Sequence, residues 1–478
     1  MKLQQPWVYS DFSSGLIDSL SVGKGLLPQN SCTTAINVVF HKPKGSIAQR
    51  YGSTLLGTQI AASQTVYGLH DFRPSDSNNN KLLAAVNGSI YSSTGGAFTS
   101  RQSITGSLKT RFLTYLNTAV YMNGTDSSRS STDGINWSSG GGNLDVGNFP
   151  KAKFATILNG RVLVGGDPSA PDTVNLSSVV SSNAVSWTSG NKTVQVSPND
   201  GGGSLTGVTS NGRLALLFKE RGLYRYDDTS LQRVGKVGTP SHESIVEDDN
   251  GIVYFFGQGA NGVGFYKTMG GFPMKISRQI TKVIDAISPS FYASVAGYTD
   301  GSLIEWPVGS ITLDDVTYTN ASVVYSVSDQ VWSVFDRAQR FLVFSQYITS
   351  TSAVTTVGGD TSGNVQTINS GNTDNGTPIY GHVEMAPIVF TTRGREKSVQ
   401  ELYAYAETFN GLSAAFKVDG KLAILGSITD KTHTFDKIPL LKGREFVPVL
   451  TSVNSGEPFL FTGWEFPSDA VIDGGNVK

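Results

Sequence analysis

Residues 154–164 read Phe-Ala-Thr-Ile-Leu-Asn-Gly-Arg-Val-Leu-Val, and this stretch decides the fold. Two short apolar runs flank an Asn-Gly pair. That pair is the strongest short-range signal for a β-hairpin, because both residues tolerate the positive φ of a tight two-residue turn. The same arrangement returns at residues 82–91, 207–218, 249–256 and 297–306. The sequence therefore predicts a succession of β-hairpins.

The spacing of these turns indicates a repeat. Turn markers at residues 87, 117, 159, 211, 250 and 300 lie 30, 42, 52, 39 and 50 residues apart. The mean, about 43, matches the ~40–50 residues of a four-stranded propeller blade. We expect an all-β protein with an irregular β-propeller of about six blades between roughly residues 60 and 375. No Trp-Asp or Gly-His blade signature points to the familiar eukaryotic scaffold propellers.

The sequence pattern changes near residue 380. There the predicted strands become longer and alternate apolar with polar residues, as in 398–406 and 446–452. Such alternation is typical of a half-buried antiparallel sheet. We therefore expect an N-terminal arm with the first strands at 1–58, the propeller at 59–378 and a C-terminal β-sandwich at 379–478. The glycine-rich stretch 357–376 is either the last blade's loops or a hinge.

One segment departs from the pattern of short β-strands. Ser277 can cap a helix and Pro289 can end it, so the spacing between them predicts a short amphipathic helix that packs against one blade. Its apolar residues recur at helical spacing: Ile276, Ile280, Val283, Ile284 and Ile287.

Composition excludes several classes of protein. A formal net charge of −1 argues against general electrostatic capture of nucleic acid or anionic membrane. The single cysteine, Cys32, excludes an internal disulfide framework and a cysteine zinc site, and we expect a small buried side chain in a reducing cytoplasm. Because no signal-peptide core and no run of about 18 apolar residues occurs, we expect neither Sec secretion nor a membrane segment.

Catalytic motifs do not emerge from the chain. Its histidines stand singly, and no paired-histidine, nucleophile-elbow, Walker or dinucleotide motif follows a strand. We therefore predict no enzyme, no catalytic or metal-ligating residue and no cofactor. The histidines are His41, His70, His242, His382 and His433.

The most enzyme-like phrase is residues 131–137, Ser-Thr-Asp-Gly-Ile-Asn-Trp, which resembles a shortened Asp-box of sialidase and glycosidase propellers. That box braces a hairpin away from the active centre, so we expect a structural role. A glycosidase needs two converging carboxylates. The adjacent pairs Asp248-Asp249 and Asp314-Asp315 are poor candidates, because neighbours on a strand point to opposite faces.

One compact basic cluster stands out at residues 393–397, Arg-Gly-Arg-Glu-Lys. Its Arg393, Arg395 and Lys397 are candidates for a phosphate contact, or for a contact between subunits. A solvated turn is the alternative interpretation.

Two sets of residues carry a family resemblance. The first comprises 11–18, 26–31, 35–40, 45–47 and 50–53, the last reading Arg-Tyr-Gly-Ser, and it resembles the opening of phage tail nozzle proteins. The second comprises 270–277 with the following helix, 294–301 and 324–332, and is similar to packaged-DNA-stabilisation proteins of short-tailed phages. Both sets consist of packing residues, and the usual histidine near the strand of Gly301 is missing.

The resemblance implies a virion protein of a phage tail, synthesised in the host cytoplasm. Its copies would form a ring of six below the portal or adaptor, contact tail fibre or spike proteins, extend the DNA channel and retain packaged DNA until ejection. Contact with double-stranded DNA in the lumen would be passive, because each lumen-facing Lys or Arg adds affinity and slows passage.

Two other classes of function remain open on the sequence. A carbohydrate- or receptor-binding propeller of a tail or cell surface would use exposed aromatic residues such as Trp187 and Trp332. A glycan-cleaving propeller enzyme would need the converging carboxylates described above.

Overall fold

The computed structural model describes residues 5–18, 27–41, 44–349, 351–388, 390, 396–409, 411–435, 441–454, 458–468 and 471–473. β-strands account for most of this structure. Among the described residues no helix is long and apolar enough to cross a membrane.

Six short strands open the chain. They are β1 (Trp7–Tyr9), β2 (Gly15–Leu16), β3 (Ser31–Ile36), β4 (Val38–His41), β5 (Lys44–Gln49) and β6 (Ser53–Leu55).

Seven successive antiparallel units follow, each built mainly from consecutive strands; the first five are separate sheets, and the last two belong to one larger sheet that also runs into the C-terminal region. The first holds β7 (Val66–Phe72), β8 (Lys81–Val86), β9 (Ser89–Ser93) and β10 (Thr99–Ser103), and the second β11 (Arg111–Tyr115), β12 (Thr118–Met122) and β13 (Ser130–Ser131). The third holds β14 (Phe154–Leu158), β15 (Arg161–Asp167), β16 (Ala170–Leu176) and β17 (Lys192–Gln195), and the fourth β18 (Leu205–Ser210), β19 (Ala215–Lys219), β20 (Gly222–Tyr226) and β21 (Leu231–Gly235).

The remaining three units are less regular. The fifth contains β23 (Val246–Glu247), β24 (Val253–Gly259), β25 (Gly264–Thr268) and β26 (Met274–Lys275), and the short strand β22 (Val237–Gly238), in the connection from the fourth blade, pairs with the end of β24. The sixth contains β27 (Tyr298–Thr299), β28 (Leu303–Leu313), β29 (Val316–Ser326) and β30 (Trp332–Asp336). The seventh contains β31 (Phe341–Ile348), β32 (Val354–Asp360) and β33 (Val365–Ile368), and β6 from the N-terminal region pairs with β33 as its fourth strand.

The sheets form a closed ring, because separate apolar clusters join each sheet to the next. Phe72 packs with Ala119 between the first two sheets, and Phe218 with Phe255 between the fourth and fifth. Tyr298 packs with Phe341 between the sixth and seventh. Val343 of the seventh sheet lies in one cluster with Val66 of the first, which closes the circle. The expected all-β propeller is confirmed, with seven described blades.

The turn markers explain why about six blades were expected. Those at 117, 159, 211, 250 and 300 all connect the first two strands of blades two to six. The marker at 87 connects the second and third strands of the first blade, at a turn where Asn87 and Gly88 both have positive φ. The seventh blade has no such marker, and its last strand comes from residues 53–55.

Two facing sheets form the C-terminal sandwich. One sheet continues from β4 and β5 through Leu460–Phe466 and Leu402–Thr408 to Thr432–Phe435, with β1 beside Leu460–Phe466, and the other continues from β3 through Thr377–Met385 and Phe446–Asn454 to Leu412–Val418 and Lys421–Ser427. Phe416 packs against Trp464 across the two layers, with ring centroids 5.5 Å apart. The C-terminal strands are β34 (Thr373–Asp374), β35 (Thr377–Met385), β36 (Lys397–Val399), β37 (Leu402–Thr408), β38 (Leu412–Val418), β39 (Lys421–Ser427), β40 (Thr432–Phe435), β41 (Leu441–Gly443), β42 (Phe446–Asn454), β43 (Leu460–Phe466) and β44 (Val471–Asp473).

The predicted helix exists but is shorter. Helix α1 spans Thr281–Asp285, and Pro289 begins a 3₁₀ segment, Pro289–Ser294. Ser277 does not cap α1, because its hydroxyl accepts a hydrogen bond from the Phe265 amide. Instead the Asp18 carboxylate, from the N-terminal region, accepts from the amides of Lys282 and Val283 at 3.1 and 3.0 Å. The apolar face packs into the main core as expected.

Shorter 3₁₀ segments lie at Ser77–Asn79, Val146–Asn148 and His242–Ser244. The last of them connects the fourth and fifth blades at the propeller axis.

Candidate functional site

A buried ionic network fastens the propeller to the sandwich. Arg337 forms a bidentate ion pair with Glu305, with N–O distances of 2.6 and 2.7 Å. Arg50 holds Asp374 in the same way, at 2.8 and 2.7 Å. The side chains of Arg50, Arg337 and Glu305 are each only 1% exposed. We call this region, formed by residues 31–41, 44–53, 334–337 and 374–385 with Glu305, the joint.

The charges of the joint are mutually compensated. Burial alone would raise the pKa of the Glu305 carboxyl, but the charge and hydrogen bonds of Arg337 outweigh it and hold that pKa below its usual value. Asp374 behaves in the same way beside Arg50. Tyr298 also donates its hydroxyl to Glu305 at 2.9 Å. The network is therefore a fully ionised structural cluster.

Asn37 organises the backbone at the joint. It has a positive φ of 57°, which Asn tolerates better than most residues. Its side-chain oxygen accepts from the amide of Asp336 and from Arg50, and its side-chain nitrogen donates to the Tyr380 carbonyl. One residue thus ties together the N-terminal strands, the sixth blade and the C-terminal sandwich.

A cavity of about 700 Å³ opens beside the joint, between the long hairpin of the sixth blade and the sandwich. His382, Glu384 and Lys417 line one wall. Glu384 pairs with Lys417 and lies 3.3 Å from His382 Nε2. Although burial would raise the pKa of the Glu384 carboxyl, hydrogen bonds from these two partners lower it to about 2. This carboxylate is ionised and already paired with Lys417 and His382.

The opposite wall holds a second polar group. Burial raises the pKa of Asp18 to about 6, although the helix amides oppose the shift. Lys282 pairs with Asp314, and burial raises the pKa of Tyr318 to about 12. Each carboxylate of this cavity is therefore held by partners within the chain.

A second cavity, of about 360 Å³, lies on the propeller axis. Every blade contributes to its wall, which supports the closed ring. One lining residue from each blade in turn is Gly68, Phe112, Thr156, Thr209, Glu243, Gly297 and Phe344.

Only part of the predicted basic cluster is described. Lys397 lies in β36, between β41 and β44, and is 3% exposed. It is therefore inside a small sheet and not on the surface. Arg393 and Arg395 lie outside the described residues, and a phosphate or subunit contact by them stays a prediction.

The aromatic residues expected to bind carbohydrate are not exposed, so that expectation is wrong for both. Trp187 is 5% and Trp332 1% exposed. Trp187 donates its indole N–H to the Leu144 carbonyl at 3.0 Å. Trp332 stacks in a cluster with Trp306 and Tyr325. Both are core residues, because each large apolar ring lies next to a short turn and packs against side chains of neighbouring strands.

The Asp-box phrase is a turn brace in the structure. Asp133 accepts hydrogen bonds from the amides of Ile135 and Asn136, each at 2.8 Å. Trp137 packs edge-on against Tyr121.

The two acidic pairs also belong to turns and not to strands. Asp248 accepts from the amides of Asn250 and Ile252, and Asp314 and Asp315 both have positive φ at the tip of a hairpin.

The single histidine and cysteine residues noted in the sequence have structural roles. Burial lowers the pKa of His70 to about 4, and its Nε2 lies 2.6 Å from the Thr114 hydroxyl. Cys32 is fully buried in the main core, and burial raises the pKa of its thiol. Within the described ranges, no group of three His, Cys, Asp or Glu residues is placed to hold a metal ion.

The joint was missed by sequence reasoning, although one signal was present. Charged residues make up only 16% of the chain, and Glu305 stands alone in an apolar run from Leu303 to Trp306. A lone charge in a buried strand needs a partner. The sequence cannot say that this partner is Arg337.

Comparison with known proteins gives no family. No protein-family model and no curated protein matches the chain. Among solved structures, YCF48 bound to D1 peptide matches 65% of this chain and 95% of its own, at 8% identity and a TM-score of 0.41. The WD40 domain of Toxoplasma gondii coronin matches 73% of this chain and 92% of its own, at 13% identity and a TM-score of 0.39.

A third structure, the extracellular domain of a hybrid two-component system from B. thetaiotaomicron, matches 76% of this chain at 10% identity and a TM-score of 0.41. The match spans 44% of that chain, so this chain covers less than half of it. At these TM-scores the likenesses carry no argument about function, and the propeller assignment rests on the chain's own sheets.

Proposed function

We propose that this chain is a non-enzymatic structural protein of a phage tail. Its copies assemble into a ring, a nozzle that extends the DNA channel below the portal or adaptor and retains packaged DNA until ejection. The protein would be made in the host cytoplasm and function in the virion. The family resemblance in two distant parts of the sequence is the starting point of this proposal.

One observation carries the proposal: the two segments with that resemblance pack against each other. Gly15 approaches Val331 and Trp332 so closely that an added Cβ would lie 2.8 Å from the Val331 side chain. The Asp18 amide donates to the Gln279 carbonyl at 3.0 Å, and its carboxylate caps α1. Residues 15–18 of the first set therefore lie against residues 279–283 and 331–332 of the second, so the two sets that carry the resemblance meet in the fold.

Rigidity at the joint also supports the proposal. A ring that holds DNA under pressure must keep its domains fixed, and a buried, fully paired network resists rotation of one domain on the other. Near-neutral net charge supports it as well, because a DNA channel should bind its cargo weakly.

The sandwich offers a surface through which copies can meet. Among the described strands, β39 pairs only with β38 and is thus a sheet edge. Leu422 and Ile424 on this strand are 58% and 70% exposed. Free backbone groups next to exposed aliphatic residues are a template for pairing with another chain. Under this proposal the occupant is a second copy of the chain.

The test is the mass of the purified full chain, alone and after mixing with a phage portal–adaptor complex. The proposal predicts a stoichiometric complex that contains a ring of copies. A chain that stays monomeric in the presence of that complex would contradict the proposal. Saturable binding to a glycan would promote the receptor-binding alternative instead.

A pair of variants sharpens this test. The double variant Leu422→Lys, Ile424→Lys should prevent assembly while leaving the monomer folded, because both side chains already face solvent. Val354→Lys is the matched control, since Val354 is 63% exposed on the seventh blade, away from the sandwich. If both variants assemble as the parent chain does, β39 is not the contact.

A further inference from the structure

Charged residues of three blades meet at one end of the axial cavity, its mouth; of these, Arg111 and Glu243 line the cavity, and Lys109 and Arg340 lie beside them. Lys109 and Arg111 belong to the second blade, Glu243 to the turn before the first strand of the fifth, and Arg340 precedes the first strand of the seventh. Arg111 Nη2 lies 2.5 Å from Glu243, and Lys109 Nζ lies 3.6 Å from it. Lys109 Nζ also donates to the Leu342 carbonyl at 2.9 Å, which brings it to the strand that Arg340 precedes.

These charges do not balance. Lys109 and Arg111 share the carboxylate of Glu243, and Arg340 adds a third basic group, although burial lowers the pKa of Lys109 and that of Arg340. Burial would raise the pKa of Glu243, but Arg111 and Lys109 lower it to about 2, so the carboxylate is ionised. Burial, together with Arg111, lowers the pKa of the neighbouring His242 to about 3, so this ring is neutral. Arg340 has no acidic partner among the described residues.

Several donors at the mouth are also unused. The Nε atoms of Arg111 and Arg340 are buried and have no hydrogen-bond partner. Arg340 is nevertheless held in place, because its Nη2 donates to the Ser294 hydroxyl at 2.6 Å and its guanidinium lies over the Phe291 ring. Arg111 is held likewise over Phe154, at 4.7 Å. Fixed guanidinium groups with unfilled donors are pre-organised for an oxyanion.

Solvent reaches this place. Side-chain exposures of 24% for Lys109, 17% for Arg111 and 12% for Glu243 show that the cluster lines a recess and is not sealed in the core. The cavity volume of about 360 Å³ is at the small end of the range for ligand pockets. It admits a small molecule and excludes a polymer such as DNA.

We propose that the mouth of the axial cavity binds a small dianionic oxyanion, of the phosphate or dicarboxylate type, between Lys109, Arg111 and Arg340. The bound anion offsets the excess of basic over acidic groups and accepts hydrogen bonds from the free Nε donors. By linking the second and seventh blades, which flank the first, it also stabilises the closed ring. This inference is independent of the proposed tail function.

The test is calorimetric titration of the full chain, in low-salt buffer, with inorganic phosphate and separately with succinate. Saturable binding at millimolar concentration or below is expected for at least one anion, and it should weaken as chloride is added. Tighter binding of phosphate would assign the phosphate type, and tighter binding of succinate the dicarboxylate type. Absence of saturable binding for both would overturn the proposal.

Three variants distinguish a binding site from a structural cluster. Arg340→Gln should weaken binding roughly tenfold or more, the effect of one lost charged contact. Glu243→Gln should tighten binding, because it removes the competing carboxylate. Arg225→Gln, at an exposed position in β20, is the matched control and should bind as the parent chain does.

Each variant is first checked for an unchanged circular dichroism spectrum. If Glu243→Gln does not fold, Arg340→Gln and its control still decide the question. Equal affinity of Arg340→Gln and the parent chain would contradict the site.

Discussion

Within most propeller blades, neighbouring strands follow one another along the chain, whereas at the joint several of the partners are hundreds of residues apart. The pairing of β14 with β15 spans a two-residue turn at Asn159 and Gly160. Arg50 and its partner Asp374 are separated by 324 positions, and Gln49 and Ser452 by 403. The propeller thus depends on local turns, and the joint on a few long-range polar contacts.

This difference predicts where in the molecule a substitution is most destabilising. A propeller blade can lose one surface contact and still be held by apolar clusters on both sides. At the joint, each buried charge has one or two partners, so losing one leaves a charge uncompensated. We therefore expect the joint to be more sensitive to substitution than the surface of the blades.

The largest effect is expected for Arg337→Ala. Removing the guanidinium leaves Glu305 buried at 1% exposure without its partner, which should lower the free energy of unfolding by about 3–5 kcal/mol. The measurement is urea unfolding of the full chain. Lys431→Ala is the control, because Lys431 and its partner Glu407 are 70% and 58% exposed, and it should change stability by about 0.5 kcal/mol or less. Equal losses in the two variants would break the comparison.

A smaller, pH-dependent effect is expected for Asp18→Asn. Burial raises the pKa of Asp18 from 3.8 to about 6, so the folded chain binds a proton more tightly than the unfolded chain. Its contribution to stability is therefore full below about pH 4 and is lost as the pH rises through about 6. Asn keeps a capping oxygen and does not titrate.

The measurement is the unfolding free energy of both chains between pH 4 and pH 7. Relative to Asp18→Asn, the parent chain should lose up to about 3 kcal/mol over this range and little more above it. Lys282 and Asp285 are the nearest charges and are unchanged in both chains. Parallel stability profiles would show that Asp18 titrates normally.

The smallest effect separates two glycines. A Cβ at Gly52, in the joint, would lie 1.9 Å from the backbone oxygen of Thr373, so the strand must shift. Gly52→Ala should therefore reduce stability by about 1–3 kcal/mol. At Gly106, in a propeller loop, the nearest atoms would be 3.8 Å away, and Gly106→Ala should change stability by about 0.5 kcal/mol or less. The same urea titration checks both, and a reversed order would contradict the proposed sensitivity of the joint.

The sequence by itself determined the propeller, because its evidence is local. Turn residues such as Asn159 and Gly160 require positive φ, and apolar runs on both sides must form strands. The same local logic predicted the alternating strands of the sandwich and the apolar face of the short helix. It also predicted a buried role for Cys32.

Only the tertiary structure decided the closure of the ring and the identity of the polar clusters. The seventh blade takes its last strand from residues 53–55, and α1 takes its cap from Asp18, 264 positions away. No turn or period signals such partners, because a hydrogen bond or ion pair depends on distance in space and not on separation in sequence. For the same reason the three cations at the axial mouth, each unremarkable in the sequence, become a site only when the blades close.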